Sequence, residues 1–185
     1  MTQVLRFRAL GILHLAVLLF CALPALAQME GAAVLQDLRA DGELARQMRL
    51  PILVVVEQED CHYCMTLDRE VIRPLIASGQ YENKKVILRR LDLASETPFR
   101  DFDGRPVTPA EFAYRYKAYV TPTLLFLDPD GRELADKMVG LGTLDFYWTY
   151  LDQAIDTALA GLQPCAPEQG HSVAQKGAAG DAGVC

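Results

Sequence analysis

The 185-residue sequence predicts an α/β domain, a mixed central sheet with helices on both faces. Three observations carry that expectation. Ile52-Leu53-Val54-Val55-Val56 is a continuous β-branched run, the pattern of a strand buried on both faces. A helical pattern over Cys61–Ser78 and a second strand pattern over Val86–Leu93 follow it, which makes a strand–helix–strand unit. Pro129-Asp130-Gly131-Arg132 then separates two more strand-like segments, as a hairpin turn would.

The elements are expected in the following order. From Gly31 to Arg49, Leu35, Leu38, Met48 and neighbouring alanines mark a modest amphipathic helix, weakened at Asp41-Gly42. Pro51 opens the first strand. The Cys61–Ser78 helix places Met65, Val71, Ile72, Leu75 and Ile76 on its apolar side. Pro74 should kink it, because it lacks an N–H and crowds the carbonyl one turn back. Ala94 to Pro109, with Pro98, Gly104 and Pro106, reads as a loop or insertion. Thr108 caps the next helix, with Pro109 at its first position and Glu111 in its first turn, running to about Ala118. Thr123–Leu127 and Glu133–Val139 are the hairpin strands. Thr143 caps a last helix whose stripe of Leu144, Trp148, Leu151, Ile155 and Leu159 reads as ordinary core.

Composition narrows the function classes. The chain is 51% hydrophobic, with 18 Lys+Arg against 24 Asp+Glu, and no basic cluster exceeds the pairs Lys84-Lys85 and Arg89-Arg90. That balance argues against a nucleic-acid partner. Arg6 and Arg8, the apolar run Ala9–Leu23, Pro24 and Ala25-Leu26-Ala27 form a secretory signal pattern over residues 1–27. The apolar run is too short for a membrane span, and Phe20 disfavours lipoprotein processing at Cys21. Cleavage removes two cations and no acid, and export places the mature domain, residues 28–161, in a compartment where disulfides persist. Residues 162–185 hold four glycines and no aromatic residue and read as a flexible tail. Its two cysteines, Cys165 and Cys185, either pair with each other or stay free.

The chemistry sits at Cys61-His62-Tyr63-Cys64. Two cysteines three apart, where a buried strand meets a helix, can close a small disulfide ring. The free N–H groups of the helix start favour the thiolate of the first cysteine. Cys61 is thus the attacking thiol, and Cys64, one turn in, resolves the mixed disulfide. A structural zinc site wants four ligands, and outside the signal segment only His62 and His171 are available as histidines, so no metal is expected.

The run Val56-Glu57-Gln58-Glu59-Asp60-Cys61-His62-Tyr63-Cys64 resembles the thioredoxin family, and is most similar to its secreted bacterial members of the SoxW type. Tyr119-Val120-Thr121-Pro122-Thr123-Leu124-Leu125-Phe126-Leu127-Asp128 and Asp130-Gly131 support the resemblance, which spans about residues 33–160. It implies a thioredoxin fold in which Pro122 is a cis proline facing the disulfide and Thr121 offers backbone hydrogen bonds to a substrate strand. With His62 and Tyr63, these form the expected substrate-binding group. The sequence departs from the family pattern in three places. Asp60 stands where ordinary thioredoxins have tryptophan, Val55 stands where they bury a carboxylate, and Ala94–Pro109 lengthens the path from Cys64 to Pro122.

The missing carboxylate at Val55 turns attention to Glu57, which strand alternation places on the same side as Val55. It either takes the proton of Cys64 or is a solvated charge at a strand end. The expected function is an exported, periplasmic thiol:disulfide oxidoreductase that reduces cysteine-containing periplasmic proteins. Acidic neighbours, Glu59 and Asp60, destabilise the thiolate and make the dithiol less oxidising, whereas a charged His62 would act the other way. The implied electron donor is a membrane dithiol carrier, and no cofactor is required. The alternatives are a disulfide-forming oxidase or isomerase, a non-catalytic binding module using the same groove, and a metal chaperone.

Overall fold

The computed structural model describes residues 31–162. The expected signal segment 1–27 and the tail beyond residue 162, with Cys165 and Cys185, lie outside the described residues. The first element is one the periodicity does not announce: β1 (Ala33–Val34), a two-residue parallel strand. The expected helix over Gly31–Arg49 therefore starts late, as α1 (Leu38–Met48), with the Asp37 carboxylate accepting from the Ala40 N–H at 3.0 Å. Asp41-Gly42 does not weaken it without return. Asp41 is buried and bound by the Arg89 guanidinium at 2.5–3.0 Å, and a Cβ at Gly42 would stand 2.5 Å from the Pro129 carbonyl. A small residue is needed there because another chain segment presses on the helix.

β2 (Ile52–Glu57) is buried as the continuous apolar run predicts. The following helix is α2 (His62–Leu67), a π-helical stretch over Asp68–Ile72, and α3 (Arg73–Ala77). The π-helical stretch is how the chain meets Pro74. With no N–H at Pro74 to serve the carbonyl one turn back, the hydrogen-bond register slips, and Arg73 N–H reaches Asp68 O instead. Met65, assigned to the apolar side, is exposed; Leu67 takes the core position on that turn.

β3 (Ile87–Asp92) lies parallel to β2. The expected loop Ala94–Pro109 contains a two-stranded ribbon of its own, β4 (Phe99–Arg100) against β5 (Pro106–Val107), which tucks Phe99 and Val107 into the core. α4 (Pro109–Arg115) begins with a capping box, Thr108 Oγ1 accepting from the Glu111 N–H at 3.3 Å while the Glu111 carboxylate accepts from the Thr108 N–H at 2.9 Å. It stops short of Ala118, where Lys117 turns left-handed at φ 51°. Thr108→Ala is expected to lower stability by about 1 kcal/mol, read as a shift in the urea midpoint at unchanged slope.

β6 (Thr123–Leu127) and β7 (Glu133–Val139) pair antiparallel across the predicted turn. The sheet runs β1-β3-β2-β6-β7, parallel on one side of β2 and antiparallel on the other, hence mixed as predicted. α5 (Leu144–Gly161) closes the domain. Thr143 caps it only through its backbone carbonyl, not its side chain, and Leu144 is exposed while Tyr147 is buried in its place.

Alternation along β2 divides the core. Ile52, Val54 and Val56 pack with Leu38, Phe112 and Leu125 on one face, whereas Leu53 and Val55 pack with Leu67, Leu75, Phe126 and Leu151 on the other. Helices thus cover both faces. The second face is the one that continues to Glu57.

Candidate active site

β2 delivers the chain to the site from the buried interior. After Glu57 the backbone turns through Gln58-Glu59-Asp60, with Cys61 N–H bonded to the Gln58 carbonyl at 3.3 Å and Asp60 at φ 62°. The left-handed conformation suits aspartate better than the bulky tryptophan of ordinary thioredoxins. Cys61 is the N-cap residue of α2. Its Sγ accepts the Cys64 N–H at 3.1 Å, so the helix start holds the sulfur where a thiolate would be stabilised.

Cys61 and Cys64 are joined as a disulfide with Cα atoms 5.2 Å apart. Cys61 is half-buried and Cys64 is buried, which separates an accessible sulfur from a protected one. The second contact to Cys61 comes from the turn before β6. The Thr121–Pro122 bond is cis, and the Thr121 hydroxyl lies 3.5 Å and its carbonyl oxygen 3.7 Å from the Cys61 Sγ. Pro122 itself is buried. His62 and Tyr63 are exposed with their rings edge-on at 5.9 Å, at the rim of the disulfide.

Glu57 stands on the predicted face. It continues the Leu53–Val55 row, and Val55 is fully packed in the core, so Glu57 is the first carboxylate along that row. Its side chain is 19% exposed and pairs with the Arg90 guanidinium at 3.2 Å, which removes the description of a solvated strand-end charge. A cleft of about 610 Å³ brings Glu57 together with Cys64, Asp68, Arg90 and Asp92. Burial pushes the Glu57 carboxyl above its ordinary value; Arg90 opposes this, while Asp68 and Asp92 add to it. Glu59 and Asp60 are exposed at the mouth.

Arg90 and Asp68 were not anticipated as part of the site. A signal existed for Arg90: Arg89-Arg90 interrupts an otherwise apolar strand, and cations in a buried strand need partners. Arg89 finds Asp41 on one face of the sheet, and Arg90 finds Glu57 on the other. Asp68 had no such signal, because the π-helical stretch sets where it falls.

A thioredoxin-like domain model matches residues 38–155. No curated protein sequence matches the chain. Among solved structures, the periplasmic thioredoxin SoxS from Paracoccus pantotrophus is 26% identical, with 58% of this chain and 98% of that chain covered and a TM-score of 0.37. The C-terminal domain of DsbD from Neisseria meningitidis is 14% identical, covers 66% and 99%, and has a TM-score of 0.47. Thioredoxin O2 from Arabidopsis thaliana is 15% identical, covers 68% and 96%, and has a TM-score of 0.45.

Proposed function

The chain belongs to the thioredoxin-like family and, with its Cys61–Cys64 couple, is a thiol:disulfide oxidoreductase; on that footing we propose that it is exported and reduces disulfides of periplasmic partner proteins. The observation that carries the proposal is the asymmetry of the couple, an accessible Cys61 sulfur at a helix N-terminus beside a buried Cys64. Export rests on the secretory pattern of residues 1–27.

In the reduced state Cys61 reacts as the thiolate. It attacks one sulfur of the partner disulfide, forming a mixed disulfide and releasing the other partner sulfur as a thiolate. Cys64 gives its proton to Glu57 and attacks the Cys61 sulfur. The partner leaves as a dithiol, two electrons richer, and Cys61–Cys64 is left oxidised. A membrane dithiol carrier returns those electrons, and no bound cofactor takes part. Thr121 and Pro122, with His62 and Tyr63, receive the partner chain around Cys61.

Glu59 and Asp60 support the reducing direction, because exposed carboxylates beside Cys61 raise the free energy of its thiolate. The deciding measurement is the reduction potential of the couple against glutathione. A value near that of thioredoxin, about −270 mV, is expected. A value near about −120 mV would instead make the protein an oxidant.

A further inference from the structure

The surface around Cys61 is not chemically even. On the side reached through Thr121, the residues before it form an uncovered apolar shelf: Tyr119 is 61% and Val120 55% exposed, and Tyr114, 73% exposed, lies tilted beside Tyr119 with ring centres 6.1 Å apart. The Tyr119 hydroxyl bonds the Tyr114 carbonyl at 3.4 Å, which ties the two together. Tyr63, 61% exposed, adds a third ring next to the disulfide. On the side reached through Asp60, the cleft carries Glu57, Glu59, Asp60, Asp68 and Asp92 against the single cation Arg90. Arg90 is committed to Glu57 at 3.2 Å, and Asp68 is held by Arg73 at 2.6 Å. Glu59 and Asp60 make no ion pair among the described residues, and Asp60 adjoins Cys61 itself. The shelf segment carries two exposed cations, Arg115, which Asp101 binds at 2.6 Å, and Lys117, which makes no ion pair among the described residues.

A segment that brings a sulfur to Cys61 meets Thr121, which follows the shelf residues in the chain, and Asp60, which lines the acidic cleft. Exposed aromatic faces attract cations, and uncompensated carboxylates attract them more strongly as the partner excludes water. We propose that the substrates are cysteine segments carrying lysine or arginine beside the reacting cysteine, with Tyr119 and Tyr63 receiving the aliphatic stems and Glu59 and Asp60 the charge. This inference names the substrate class of the oxidoreductase proposed above and rests on that reading.

The test uses the reduced protein in single-turnover mixing with three synthetic peptides. Each carries one cysteine capped as a mixed disulfide with 2-mercaptoethanol, flanked by lysine, glutamine or glutamate in an otherwise constant sequence. Reduction oxidises the protein dithiol and releases the peptide thiol and 2-mercaptoethanol, so no other reductant is needed. At low salt the second-order rate is expected to fall by about fivefold at each step from lysine to glutamine to glutamate. The differences should close at about 1 M salt, where the screening length is roughly 3 Å. In a Glu59→Gln, Asp60→Asn variant the lysine-to-glutamate ratio should fall to within about twofold of unity; asparagine tolerates the left-handed backbone at position 60. Tyr119→Ala should lower the lysine rate more than the glutamate rate. Equal rates on the three peptides, or a preference for glutamate, overturn the proposal if the same protein reduces hydroxyethyl disulfide. Failure on hydroxyethyl disulfide as well overturns the oxidoreductase reading together with it.

Discussion

Cys64→Ser, expressed in its own compartment with Cys165 and Cys185 also replaced by serine, is expected to accumulate covalent adducts with partner proteins that vanish on treatment with a reductant. The reason is the division of labour in the couple. Cys61 sits half-buried at the N-cap with its sulfur beside Thr121, so it still attacks a partner disulfide when Cys64 is absent. Among the described residues, only the buried neighbour one turn into α2 is placed to break the mixed disulfide that results. Cys61→Ser should trap almost nothing, because the remaining thiol is only 4% exposed. Its turnover should fall by at least about 10³-fold, the scale on which removal of a covalent nucleophile acts. The tail cysteines are removed first so that they cannot trap proteins unspecifically. If the Cys64→Ser protein traps no more than the double cysteine variant, a binding role in the same groove replaces the enzymatic one.

Much of this site is legible in the sequence because it follows from local rules. A β-branched run, a CxxC at its end and a helix pattern beyond place two sulfurs at a helix start, and the chain folds that way. Pro74 signals a departure from regular α-helix, and the π-helical stretch before it is that departure. What escapes the sequence is set by tertiary partners. β1 is two residues long and exists only because β3 offers it an edge, so no periodicity can reveal it. The ribbon β4–β5 is equally short, and Pro98, Gly104 and Pro106 dominate the local pattern. Met65 and Leu144 fit their helical stripes yet face solvent, because the stripe describes a helix face and not how far the core extends along it. Arg90 is the instructive case. Its partner lies on the neighbouring strand, 33 residues away, and the pairing follows once β2 and β3 are in register.

That pairing leads to the second large effect. Glu57→Gln is expected to slow the release of the partner, the step in which Cys64 loses its proton, by roughly 10- to 100-fold. Glutamine keeps the size and the hydrogen-bonding capacity toward Arg90, so the fold should stand and attack by Cys61 should be little changed. The pH dependence separates this from a structural role. Burial raises the Glu57 pKa, which makes the carboxylate a better proton acceptor than an ordinary surface one. If Glu57 is the acceptor, it is ionised above that raised value and takes the proton; as pH falls through it, the carboxylate is protonated and the rate should decline. At high pH Cys64 loses its proton to solvent unaided, and the two proteins converge. The ratio of wild-type to variant rate should therefore peak between the Glu57 and Cys64 pKa values and shrink on either side. Arg90 works against the shift, so Arg90→Gln should move the low-pH limb of the otherwise wild-type protein upward. A Glu57→Gln protein whose single-turnover release rates match wild type from about pH 6 to 9 would reduce Glu57 to the structural partner of Arg90, and proton removal from Cys64 would then fall to solvent.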